Sequence, residues 1–237
     1  MIGIALSQHS LMQRRNQQGF SLIELMCVIM IMSILTAVSW SSIVSIVGGN
    51  HLSNGVYDLR GLMLQARTDA MTQNTYVLLG FSPTTKNGAP SLLVTSVAAK
   101  SGLITDLQNG NFQVLRKPIL LKGVALDTKL GYLSLPGFDN APNDADASAS
   151  DAVTSDTNSQ SAYAFKVSVA GNSQTQFSTV IAFSPDGQTL LPQSGGALKL
   201  VSKVRIGLNA SPSPANSTRN AAVQMRGLSG QISVLQQ

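Results

Sequence analysis

The hydrophobic pattern of this chain changes character three times. Residues 1–19 are polar overall and place Arg14 and Arg15 just ahead of an apolar run. From Leu22 to Val47 the run is almost unbroken, with Ser and Thr scattered through it. A helix of that length spans about 39 Å, against about 30 Å for a bilayer's hydrocarbon core. Gly48-Gly49 then interrupts it, at a cost of roughly 1 kcal/mol per glycine relative to alanine in a helix. Beyond them Leu52, Val56, Leu59, Leu62, Met63, Ala66 and Ala70 recur at helical spacing, while Ser53, Asp58, Arg60, Arg67 and Asp69 mostly fall off the stripe. The pattern predicts one helix from about Ser21 to Thr72, its first half in a membrane and its second half packed by one face on a globular domain.

The rest reads as strands. Val- and Leu-rich segments between Gly, Pro and Asn breaks cover residues 75–82, 91–97, 111–121, 124–127, 162–170, 176–184, 198–208, 221–226 and 231–235. Pro185-Asp186-Gly187 is a turn, because Pro fixes φ and Gly admits positive φ, and Gly227-Leu228-Ser229-Gly230 is another. Residues 139–161 hold Asp, Asn, Ala, Ser and Thr with almost no large apolar side chain before Val153. Such a stretch buries too little to offset its ordering entropy, and a mobile surface loop is expected. The fold class that follows is α+β: a long N-terminal helix packed on a mostly antiparallel β-sandwich or two-sheet domain.

Composition narrows the functions. Charged residues make up 11% of the 237 positions, well below the roughly 25% of an average soluble domain. The one cysteine, Cys27, lies in the apolar run, which excludes an intramolecular disulfide and a thiol-built metal site, and Glu24-Leu25-Met26 before it is not a lipoprotein box. The only histidines are His9 and His51, no G-x-S-x-G elbow accompanies them, and no phosphate-binding G-x-x-x-x-G-K-[ST] loop is present. No catalysis and no cofactor are expected. The formal charge of +5 is unevenly spread, with five aspartates and no Lys or Arg in 139–161, and five Lys or Arg and no acid from Gly187 onward.

One residue resists the plain membrane reading. A carboxylate within a bilayer helix costs about 2.5–3.5 kcal/mol on insertion scales, yet Glu24 stands near the start of the apolar run. A cleaved secretory signal has a shorter apolar core, with its small-residue site after it, whereas here Gly19 precedes the run. A plain signal anchor leaves Glu24 unexplained, and a carboxylate reaching headgroups is the bland alternative. Gly19-Phe20-Ser21-Leu22-Ile23-Glu24-Leu25 reproduces G-F-[ST]-L-[IV]-E-[LMV], so the chain resembles the type IV pilin and pseudopilin superfamily. The resemblance implies that prepilin peptidase, a membrane enzyme, cuts between Gly19 and Phe20 and N-methylates Phe20. The new amino group then lies one turn from Glu24, and in a filament the carboxylate of one subunit can meet the amine of its neighbour, a pair worth much at low dielectric.

A second stretch, Leu64-Gln65-Ala66-Arg67-Thr68-Asp69-Ala70 through Asn74 and Val77, resembles the L-x-x-A-R-x-x-A-x-x-x-N-x-x-V pattern that closes the long helix in H-type minor pseudopilins and FimT-like pilins. Physically it is a helix end with small residues against a sheet, Asn74 as the terminal residue, and then a strand. The order F-S-P-D-G, basic strands and V-Q-M-R-G-L-S-G-Q-I-S-V is similar to the C-terminal half of the same family, with Gln231 standing where an arginine is common. Major pseudopilins of the superfamily bind calcium in a loop, but the D-x-D of Asp144 and Asp146 lacks the Gly and distal Glu of an EF-hand loop.

The expected organisation is a leader (1–19), a transmembrane helix (20–47), an amphipathic helix (48–74) and a β-rich periplasmic domain (75–237). The function implied is that of a minor pseudopilin in the pseudopilus of type II secretion. Gly19 and Phe20 serve processing and Glu24 serves assembly. The partners are prepilin peptidase, other pseudopilins, the inner membrane and the secretion machinery. The alternative is a FimT-like minor pilin that contacts DNA during uptake through Lys199, Lys203, Arg205, Arg219 and Arg226. Positions 199, 203 and 205 share one side only if their strand is unbroken, and no aromatic is interleaved for base stacking. Solvated outer strand faces are the plainer reading of these cations, and nucleic acid is not expected as a partner.

Overall fold

The computed structural model describes residues 21–86, 88–127, 152–153, 162–169, 173–193, 196–210 and 220–236, without the side chains of 38, 40–49, 152, 153, 173 and 236. Helix α1 runs Leu22–Gln73. The chain divides into two compact units, Met1–Ser42 and Ile43–Gln237. In the second unit every position of the expected stripe is buried: Leu52, Val56, Leu59, Leu62, Met63, Ala66 and Ala70.

After the helix come β1 (Val77–Lys86), β2 (Ala89–Ala99), a short helix α2 (Ile104–Gln108), β3 (Phe112–Val114), β4 (Ile119–Lys122), β5 (Val124–Leu126), β6 (Ala152–Val153), β7 (Phe165–Val169), β8 (Ser173–Phe177), β9 (Thr179–Phe183), β10 (Thr189–Pro192), β11 (Leu198–Leu200), β12 (Lys203–Ala210), β13 (Asn220–Arg226) and β14 (Ile232–Gln236). A seven-stranded sheet has the order β11-β10-β9-β1-β2-β3, with β4 also paired to β2. A five-stranded sheet has the order β14-β13-β12-β5, with β6 beside β12, and β7-β8 forms a separate hairpin. All pairings are antiparallel except β6 with β12. The α+β class holds. The helical stripe and one face of each large sheet share a single core, in which Leu79, Phe81 and Ile181 come from the first sheet and Val204, Ile206 and Val223 from the second.

The opposite face of the seven-stranded sheet carries a second core built on the β7-β8 hairpin. Phe165 stacks on Phe177 with ring centroids 5.3 Å apart and meets Phe112 edge-on at 5.5 Å. Gly80 of β1 is what lets the hairpin lie so close, since a Cβ there would stand 2.5 Å from Phe165 Cζ. Tyr163 at the hairpin's entry donates its hydroxyl to the Gly196 carbonyl at 2.8 Å and accepts from Gln108 Nε2 at 2.9 Å, and burial pushes its pKa up.

The helix end explains the A-R…N pattern. Asn74 sits in the left-handed region at φ +49°, and the Thr75 N–H reaches back to the Ala70 carbonyl at 3.1 Å, the six-to-one bond of a Schellman stop. Two turns before Asn74, half-buried Arg67 lies between both expected turns. Its Nε donates to the Gly187 carbonyl at 2.8 Å, and its guanidinium packs so close to Gly230 that a Cβ there would stand 2.4 Å from Cζ. The Pro185-Asp186-Gly187 turn closes β9 onto β10, with the Gly187 N–H on the Ser184 carbonyl at 2.8 Å. The helix end thus gathers one turn from each large sheet.

Several strand expectations need correction. Residues 111–121 are two strands, β3 and β4, because Pro118 cannot donate to a ladder. Residues 176–184 join the end of β8 to β9, and the chain changes sheets at Ser178. Residues 198–208 are also two strands: β11 ends the seven-stranded sheet at Leu200, and β12 enters the five-stranded one at Lys203. β10 and α2 were not expected. Of the aspartate-rich stretch, Ala152–Val153 is strand rather than loop, its backbone pairing with β12 at Arg205 and Ile206, and valine is a residue type that favours strands. Its other positions lie outside the described residues.

Where the sheets meet, Gly227 donates to the Ser202 carbonyl and accepts from the Thr189 N–H, both at 2.8 Å. A different glycine, Gly61, stands on the exposed side of α1 with nothing within 4 Å of where its Cβ would be. Gly61→Ala is therefore expected to stabilise the fold by about 0.5–1 kcal/mol, through helix propensity and a less disordered unfolded chain. Urea unfolding of the full chain in detergent checks this, and a lower midpoint would contradict it.

Candidate functional site

The first turn of α1 starts where the sequence motif ends its cleavage signal. Ser21 is the N-cap: its carbonyl accepts from the N–H groups of Glu24 at 3.0 Å and Leu25 at 3.2 Å. Ser21 and Glu24 therefore stand at N-cap and N3, the S-x-x-E spacing of a capping box, with the carboxylate at the positive end of the helix dipole. The S-x-x-E spacing is legible in the sequence beside the cleavage motif. Both residues are exposed, as is every position from 21 to 37. Gly19 and Phe20 lie outside the described residues.

The exposed surface of this helix is apolar: Leu22, Ile23, Leu25, Met26, Val28, Ile29, Met30, Ile31, Met32, Ile34 and Leu35 all face outward. A contiguous exposed apolar surface of this kind marks a membrane or protein interaction. The hydroxyls within it are already satisfied. Ser33, Thr36 and Ser39 donate to the carbonyls of Ile29, Met32 and Leu35 at 2.7, 2.7 and 2.8 Å. With their donors turned onto the helix backbone, these three hydroxyls can enter an apolar medium without unmet hydrogen bonds of their own. Among the described residues no helix is long and apolar enough to cross a membrane. The segment with continuous described side chains ends at residue 37, while the apolar run of the sequence goes on to Val47.

The structure does not gather the candidate cations. Lys199 is exposed on β11 of the seven-stranded sheet. Lys203 and Arg205 belong to β12 of the other sheet, so the unbroken strand that would have aligned the three does not exist. Lys203 is half-buried, and Arg205 is only 2% exposed, out of reach of a phosphate backbone. The structure does bring Lys203 opposite Arg226, which is exposed at the end of β13. Arg219 and the five aspartates of 139–161 lie outside the described residues. Among the described residues no three His, Cys, Asp or Glu side chains come together in a way that could hold a metal ion.

No curated protein and no solved structure matches the chain. Residues 14–40 match the family model described as the prokaryotic N-terminal methylation motif. The match takes in the basic pair, the Gly-Phe junction, Glu24 and the start of α1. It implies processing by prepilin peptidase, membrane anchoring through the N-terminal helix, and assembly with other pilins in general. By that motif, set at the head of an exposed apolar helix, the chain carries the signature of the type IV pilins and pseudopilins.

Proposed function

We infer that this chain is a minor pseudopilin-like structural subunit of a type II secretion pseudopilus. It is cleaved after Gly19 and N-methylated on Phe20. It is held in the inner membrane by α1, with its N-terminus cytoplasmic and its β-rich domain periplasmic, and it performs no catalysis. The observation that carries the reading is the Gly19–Leu25 motif running directly into a capped helix with an apolar exposed surface. Support for the H-type placement comes from the helix end. The three segments that resemble that family, around Arg67, Gly187 and Gly230, touch one another, as parts of one inherited design would.

The DNA-contact alternative has less behind it, because Arg205 is buried and Lys199 stands in another sheet. The test is intact mass and N-terminal sequencing of the protein from membranes, with and without co-expressed prepilin peptidase. A product starting at N-methylated Phe20 is expected. A chain still starting at Met1 beside active peptidase would overturn the reading. Deleting the gene then separates the two roles: lost secretion of exported proteins with normal DNA uptake fits the pseudopilus, and the converse fits the pilus.

A further inference from the structure

The sequence holds three Asn-Gly pairs, Asn54-Gly55, Asn87-Gly88 and Asn109-Gly110. In such a pair the backbone nitrogen of the glycine can attack the side-chain carbonyl carbon of the asparagine, because the glycine has no Cβ to obstruct the approach. Asn87 lies outside the described residues, and the other two pairs sit in opposite settings. Gly55 is buried inside α1, its N–H tied into the helical ladder, and a Cβ there would meet Val124 Cγ2 at 2.7 Å. Asn109 and Gly110 are both exposed in the turn that ends α2. The Asn109 N–H donates to the Thr105 carbonyl at 3.0 Å and the Asn111 N–H to the Asp106 carbonyl at 2.8 Å, but among the described residues the Gly110 N–H between them has no main-chain acceptor. Gly110 stands at φ +74° with nothing within 4 Å of where a Cβ would be. Its nitrogen is thus uncommitted and uncrowded.

We propose that Asn109 is a self-modifying position, which spontaneously loses its side-chain amide and becomes aspartate or isoaspartate. The Gly110 nitrogen bonds to Asn109 Cγ and gives up its proton, Nδ2 departs with that proton as ammonia, and a cyclic imide remains. Water then opens the imide at either carbonyl, leaving aspartate, or isoaspartate with the main chain lengthened by a methylene. Ring closure requires ψ at Asn109 to swing away from its value of 1°. Helix α2 has five residues and buries only Leu107, so its last turn opens at far lower cost than the interior of the 52-residue α1. The change reaches beyond the turn. Gln108, the preceding residue, donates Nε2 to the Tyr163 hydroxyl and to the Gly196 carbonyl, both at 2.9 Å, and so ties α2 to the entry of the β7-β8 hairpin. The new carboxylate also joins a turn that already holds Asp106, which accepts from the Ser101 N–H at 2.6 Å and from Asn111 Nδ2 at 3.1 Å. Conversion at 109 therefore loosens the hold of α2 on the hairpin.

Purified full-length protein in detergent, held in mildly alkaline buffer and sampled over days, gives the test. Peptide mapping by mass, with chromatography separating aspartate from isoaspartate, follows each pair. In the folded chain Asn109 is expected to convert about tenfold faster than Asn54 or more, because the long helix must open before its own pair can react. In urea the two rates should converge, since the fold rather than the dipeptide then no longer separates them. Asn109→Gln, which would have to close a larger ring, is expected to keep its amide while Asn54 behaves as in wild type. Equal rates at 54 and 109 in the folded chain overturn the proposal, and so does a gap that persists in urea. Hydrogen exchange over residues 165–169 is expected to quicken in the converted fraction, and unchanged exchange there overturns the loosening of the hairpin.

Discussion

Gly227→Ala is expected to leave little folded protein, with a loss of about 4 kcal/mol or more, at the diagnostic end of single-substitution effects. The added Cβ would stand 1.7 Å from the Val201 carbonyl oxygen and 2.9 Å from its carbon, both main-chain atoms that no rotamer change can move aside. Retreat of the backbone is blocked as well, because the Gly227 N–H is held by the Ser202 carbonyl and its own carbonyl by the Thr189 N–H, each at 2.8 Å. Thr189 opens β10 in one sheet, and Ser202 precedes β12 in the other. Relief of the clash would thus part the sheets that enclose the helical stripe. Thermal melting of the detergent-solubilised chain reads the effect, and Gly61→Ala serves as the control, the same substitution with opposite expected sign. A melting point for Gly227→Ala within a degree or two of wild type would contradict the assignment.

The second large effect concerns Glu24, and the choice of substitution separates its two roles. Glutamine keeps the reach of glutamate and still serves a capping box at N3, but has no charge. Valine removes both. If pairing with the amine of a neighbouring Phe20 is what Glu24 contributes, the two variants should fail together. Leaving one partner of a desolvated pair alone costs about 3–5 kcal/mol, so incorporation should fall by roughly 100-fold or more, with cleavage after Gly19 intact. If capping is what matters, Glu24→Gln should assemble as wild type and only Glu24→Val should fall. Quantifying processed subunit in membranes against subunit in sheared filaments distinguishes these outcomes.

Some of this was open to reading from sequence. The helical stripe was legible because a period of 3.6 residues survives whatever the far side packs against, and all seven stripe positions proved buried. The Pro-Asp-Gly turn was legible because its residues act through their own dihedral angles. The motif at Gly19–Leu25 was legible because its residues are contiguous in the chain, and residues 14–40 match the methylation family model. Other features depend on the tertiary arrangement. Positions 199–205 alternate as one strand would, and nothing local says that the chain leaves one sheet at Leu200 and joins another at Lys203. Arg205 looks like any surface cation, yet in the folded sheet only 2% of it is exposed. Gly227 reads as a turn glycine, although its role is the close approach of two main chains, and Arg67 as a solvated arginine, although both turns close over it.

The order of strands carries a kinetic consequence. β1 pairs with β9 about a hundred positions later, and the sheet over the other flank of the helix is completed by β12, β13 and β14, the last strands of the chain. Non-local pairings of this kind slow folding, because loop-closure entropy comes due before the contacts that offset it. The stripe from Leu52 to Ala70 is made early and covered late. If the N-terminus stays cytoplasmic and the segments after α1 cross in chain order, that apolar face waits in water until the C-terminus has emerged. A holding chaperone on the exit side, or slow release from the translocation channel, would then set the yield of folded subunit before any filament contact is made.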